Sequence, residues 1–114
     1  MIKELDRRIL TSCSEADLGL ASIVALVRES FPKDDPLALR RRVMGVLTPL
    51  VDGGLLRAGR PTPDGKAFVA WGLTAKESVV RIEREWDALG HEPRHGDVAW
   101  FATTKAGVKT TAQD

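Results

Sequence analysis

The chain has 114 residues, 43% of them apolar and 29% charged, which suits one globular domain and excludes a wholly disordered chain. Seventeen Lys and Arg against sixteen Asp and Glu leave a net charge of +1, so no overall field draws the protein towards nucleic acid or a membrane surface. A single cysteine, Cys13, excludes an internal disulfide framework and a multi-cysteine metal site, and no apolar run approaches the ~18–20 residues of a membrane span. The opening Met1-Ile2-Lys3-Glu4-Leu5-Asp6 lacks the apolar stretch of a signal peptide, so the expected compartment is the cytoplasm.

Ile2, Leu5, Ile9 and Cys13 recur at helical spacing among charged neighbours, which predicts a first helix with one buried stripe. Ser12, Ser14 and Asp17 compete for the backbone and predict a break. Leu20, Ile23, Val24, Val27 and Phe31 form a second stripe, with Ser22 as candidate N-cap and Phe31-Pro32 as the stop. Asp34-Asp35 followed by Pro36 is a capped start for a third helix, whose apolar positions are Leu39, Val43, Val46, Leu47 and Leu50 before Gly53-Gly54. Pro49 lies inside that run and predicts a kink or an early end near Thr48, because proline removes a hydrogen bond and crowds the carbonyl four residues back.

After the glycines the period becomes two. Leu55 to Arg60 and Ala67 to Leu73 flank Pro61-Thr62-Pro63-Asp64-Gly65-Lys66 and read as a β-hairpin with a longer loop. Thr74-Ala75-Lys76-Glu77 is a capping box opening a helix to about Leu89, which Gly90 ends. Ala75, Val79, Ile82, Trp86 and Leu89 trace a narrow seam along it, suited to one partner helix: a second copy of the chain, or the protein's own first helix. Glu77/Arg81 and Arg81/Glu85 stand four apart and suit ion pairs on its flank. Val98-Ala99-Trp100 repeats Val69-Ala70-Trp71, and both favour strands, so the second copy is expected to dock beside the hairpin. The small polar residues from Lys105 onward predict a fraying tail.

This order of elements, from Lys3 to Leu89, resembles a winged helix-turn-helix domain. The stretch Leu39-Arg40-Arg41-Arg42-Val43-Met44-Gly45-Val46-Leu47, running through Gly53-Gly54-Leu55-Leu56, looks like a recognition helix entering the first wing strand. The wording around Gly53-Gly54-Leu55-Leu56-Arg57 and Trp71-Gly72-Leu73-Thr74-Ala75-Lys76-Glu77 is similar to small bacterial regulators of the MarR and PadR kind, in which the Leu-Thr pair starts a dimerisation helix. The resemblance implies an α+β winged helix-turn-helix fold of three helices, a β-hairpin wing, an additional C-terminal helix over 74–89 and a short final strand over 98–103. The domain then spans 1–104, with 105–114 as flexible tail. Pro49, the two loop prolines and the Trp100-Phe101 strand depart from the pattern.

Charge is distributed unevenly. Residues 36–66 carry Arg40, Arg41, Arg42, Arg57, Arg60 and Lys66 against two carboxylates, a local charge of +4, whereas 1–35 and 74–97 each carry −2. On the winged-helix reading, Arg40, Arg41 and Arg42 meet double-stranded DNA from the first turns of the recognition helix. Arg57, Arg60 and Lys66 follow from the wing, and Val79, Ile82, Trp86 and Leu89 make a homodimer. The resemblance thus implies a DNA-binding transcriptional regulator without metal or other cofactor. The alternative is a protein-interaction module on the same scaffold, an adaptor or a toxin-immunity protein, recruiting a partner strand through Trp100 and Phe101. No enzyme is indicated. His91 and His95 are separated by helix breakers, Cys13 lies on an apolar stripe, and neither serine nearby has a nucleophile setting.

Overall fold

The computed structural model describes residues 3–113. Among them are five helices and one four-stranded antiparallel sheet, an α+β arrangement. In chain order these are α1 (Glu4–Glu15), β1 (Leu18–Gly19), α2 (Leu20–Ser30), α3 (Pro36–Asp52), β2 (Leu56–Pro61), β3 (Phe68–Ala70), α4 (Ala75–Leu89), β4 (Trp100–Thr103) and α5 (Lys105–Gln113). Ile2 of the predicted first stripe and Asp114 of the tail lie outside the described residues.

The α1 stripe forms as spaced, with Ile9, Leu10 and Cys13 buried. The second helix starts earlier than expected: Gly19, not Ser22, is its N-cap, because Leu18–Gly19 is held in extended form by pairing with β4. On α3, the Asp35 carboxylate accepts from the Ala38 N–H at 2.8 Å and Pro36 occupies the first turn. The early end near Thr48 does not occur, and α3 continues through Pro49 to Asp52. Gly45 and Pro49 both face outward, so water can serve the Gly45 carbonyl that the proline leaves without a donor, and no side chain on Gly45 crowds the turn.

The sheet order is β1-β4-β2-β3. The hairpin pairs Gly59 with Ala70, Arg60 with Val69 and Pro61 with Phe68. Its loop is pinned by the Thr62 hydroxyl donating to Asp64 at 2.6 Å, by the Lys66 N–H donating to the same carboxylate, and by Gly65 at φ 73°. These bonds, the Thr62 one foremost, hold the Asp64 carboxyl below its ordinary range. The final strand docks beside the hairpin as expected, but as an interior strand: β4 lies between β1 and β2, with Trp100 flanked by Gly19 on one side and Gly59 on the other. It starts at Trp100 and not at 98. Val98 has φ 65°, costly for a β-branched residue, and the Ala99 N–H donates to the Asp97 carbonyl, a tight turn that precedes the strand.

A second difference concerns the C-terminus. Lys105–Gln113, expected to fray, forms α5 against α1. The Thr104 hydroxyl accepts from the Gly107 N–H at 3.0 Å and donates to the Gly54 carbonyl at 2.6 Å, so one side chain both caps the helix and ties it to the end of α3. Gly107 sits so close to Leu55 and Thr103 that a Cβ there would collide with both.

The core gathers the inward stripes of α1, α2, α3 and α4 over one sheet face, with Phe101, Ile9, Leu20, Ile23, Val27, Val43, Leu47 and Ile82 fully buried. Among the described residues no helix is long and apolar enough to cross a membrane.

Candidate functional site

The three successive arginines lie on α3 as spaced, but they do not all stand free. Arg40 pairs with Asp87 of α4, donates to the Glu83 carbonyl at 3.2 Å and lies over the Trp86 ring. Arg42 pairs with Asp34 and stacks on Phe31, its guanidinium carbon 3.7 Å from the ring centroid. Only Arg41 is exposed with no partner among the described residues. The carboxylates come from the segment before α3 and from the neighbouring helix. Local charge along the chain therefore misjudges charge in space, because Asp34 and Asp87 cancel two of the three guanidinium groups.

The remaining basic residues are exposed on the hairpin and its first strand, each in a different setting. Arg57 lies over the Phe68 ring at 5.3 Å, and Arg60 donates to the Gly96 carbonyl at 3.2 Å. Lys66, at the loop tip, lines a hollow with Glu15 and Asp17 of the α1–β1 segment. Acidic residues thus share a hollow with Lys66 at the loop tip, and another, Asp34, pairs with Arg42 at the start of α3.

Two docking surfaces expected from the sequence are occupied by the chain itself. The α4 seam faces inward: Ile82 is fully buried and Trp86 nearly so, with Val79 and Leu89 packed against the same core. Its neighbour helix is α3 and not α1. A seam closed over its own core has no face left for a second copy. Trp100 and Phe101 likewise offer no free strand edge, because β4 is paired on both sides. Phe101 is fully buried, and His95 covers Trp100 edge-on at 5.3 Å between ring centroids.

The opposite face of α4 is not among the surfaces expected from the sequence. Leu73, just before the helix, and Val80 in its middle are 40% and 45% exposed. They line an open hollow of about 490 Å³ with Lys76, Glu77 and Arg84. The helix start that aims this face is well determined. The Thr74 hydroxyl accepts from the Glu77 N–H at 3.1 Å, the Glu77 carboxylate accepts from the Thr74 N–H at 2.9 Å, and Gly90 ends the helix at φ 70°. The bond from the Thr74 N–H, followed by that from its hydroxyl, lowers the Glu77 pKa below the ordinary carboxylate range. Of the two ion pairs expected on the flank, Arg81–Glu85 forms at 2.5 Å with Arg81 also over Trp71, while Glu77 serves the cap instead. The signal for this face is the Val79-Val80 doublet: a narrow seam accommodates one of two adjacent valines, so the other must face out.

Cys13 is buried and its thiol is pushed up to about 12, first by loss of water and then by the nearby Asp17 charge, which keeps it un-ionised at neutral pH. The His91 Nδ1 lies 2.8 Å from the Glu92 carbonyl, and His95 lies edge-on against Trp100. Among the described residues no three His, Cys, Asp or Glu side chains gather as a metal-binding cluster. No family model, no curated protein and no solved structure matches the chain.

Proposed function

We propose that the chain is a protein-interaction module of the adaptor kind, docking through the outer face of α4. The observation that carries this reading is Val80, an aliphatic side chain 45% exposed in the middle of a firmly capped helix, ringed by charges of both signs. Burying such a side chain against a partner gains the usual hydrophobic free energy, and a mixed-charge rim selects the partner and its orientation. The arginines of α3 favour a polyanion less, because a phosphate would have to displace Asp34 and Asp87 from them. The test is affinity capture with the full chain: Val80→Asp should release the bound partner, while Arg41→Ala should retain it. Retention by Val80→Asp would remove α4 from the interface.

A second reading, the winged-helix DNA-binding regulator, is favoured by Arg41, which is exposed and unpartnered near the capped start of α3. It requires binding to duplex DNA that weakens with salt. Replacing Arg40 and Arg41 by alanine should then flatten the salt dependence by about one unit of slope for each phosphate no longer neutralised. Salt-dependent DNA binding that disappears in that double variant would decide for the regulator and against the docking reading.

A further inference from the structure

The outer face of α4 has an internal symmetry. At 3.6 residues per turn, Lys76, Glu77, Glu83 and Arg84 all lie within about 60° of Val80 around the helix axis. Glu77 and Arg84 fall on one flank, Lys76 and Glu83 on the other. Each flank thus has one carboxylate and one cation, placed almost equally far on either side of Val80. The side chains of Lys76, Glu83 and Arg84 have no hydrogen-bond or ion-pair partner among the described residues.

The geometry points to a second copy of this chain as the occupant of that face, its α4 antiparallel to the first across a two-fold axis at Val80. Such an axis reverses the helix direction while keeping each flank beside its own counterpart. Glu77 then lies across from Arg84 of the partner subunit, and Lys76 lies across from Glu83 of the partner subunit. Each pair is within one residue's rise, ~1.5 Å, of level. Both pairs occur twice, so four opposite-sign contacts surround two Val80 side chains packed against each other. A two-fold along the helices would instead make them parallel and bring opposite flanks together, setting Glu77 against Lys76 of the partner subunit and Arg84 against Glu83 of the partner subunit. The sign pattern therefore suits a second copy in either direction, and the antiparallel one also opposes the two helix dipoles. The inference rests on the interaction reading and names its partner.

Charge reversal on one flank tests it in the full chain by sedimentation velocity. The wild type should sediment as a dimer at micromolar concentrations. Lys76→Glu sets Glu against Glu83, and Glu83→Lys sets Lys against Lys76, so each variant alone should dissociate about fivefold or more readily. Mixed together, the two variants should recover the dimer, since each reversed residue then meets its complement. Both positions are exposed, so thermal melts of the single variants should match the wild type at concentrations where all are monomeric. A monomeric wild type overturns the self-pairing, and a dimeric wild type whose mixed variants are no tighter than either variant alone overturns the antiparallel arrangement. If that monomer still loses a bound partner on Val80→Asp, the interaction reading stands without it.

Discussion

The inner and outer faces of α4 share one helix and one cap, yet their fates differ. Ile82 and Trp86 close over α3 and the common core, whereas Val80 and Leu73 remain open to solvent. Apolar periodicity reports that a helix face has a partner and does not say in which molecule. The face with the longer, more regular stripe is taken up by the chain itself. The face with a single valine set among charges is left open, and its charges of both signs suit recognition better than bulk burial.

This contrast can be broken experimentally. The largest expected effect is at the inner face: Trp86→Ala should lower stability by about 3–5 kcal/mol and Ile82→Ala by about 2–5 kcal/mol, measured by denaturant unfolding. Val80→Ala should stay within about 0.5 kcal/mol under the same conditions where the chain is monomeric. A Val80 cost equal to that of Ile82 would mean that the two faces are not distinct.

Next in size is the element both faces share. Thr74→Ala should cost about 1 kcal/mol, because the Glu77 N–H loses its acceptor. Its pH dependence is informative. Folding lowers the Glu77 pKa, so its contribution is complete above the ordinary carboxylate value of about 4.3 and is lost as the pH falls through the lower folded value. Unfolding curves across that acid range should therefore be flatter for Glu77→Gln than for the wild type. An unchanged slope would remove the ionised carboxylate from the cap.

The smallest effect is expected at the edge between α4 and α3. A double-mutant cycle of Arg40→Ala and Asp87→Ala should return a coupling of about 0.2–1 kcal/mol, since Asp87 is largely exposed and screened. A coupling near zero would free Arg40 for an external anion and strengthen the DNA reading. A measurable one sharpens the view that α4 holds the arginines of α3.

Much of the architecture is legible in the sequence because its signals are local. The Asp35-Pro36 start, the Thr74–Glu77 box and the Asp64-Gly65 turn each satisfy backbone groups within a few residues, Gly90 ends α4 in the left-handed conformation, and each forms as read. Pro49 misleads because its cost depends on which side of α3 faces water. α5 escapes a sequence reading because it is only nine residues long and includes Gly107, Val108, Thr110 and Thr111, all poor helix formers, and its support comes from Thr104 reaching Gly54 and from packing on α1. The candidate site is the least legible part. Arg40 and Arg42 form one basic run in the chain, but Asp87 and Asp34 neutralise them only once α4 and the segment before α3 come alongside.

Residue order alone is thus sufficient for where most helices and turns begin and end, since caps, glycines and prolines act over one turn of backbone. Folding in three dimensions chose which apolar stripe is buried, which strand lies inside the sheet and which charges are cancelled. Those outcomes depend on neighbours distant in the chain: Trp100 between Gly19 and Gly59, Ile82 over α3, and Asp87 beside Arg40.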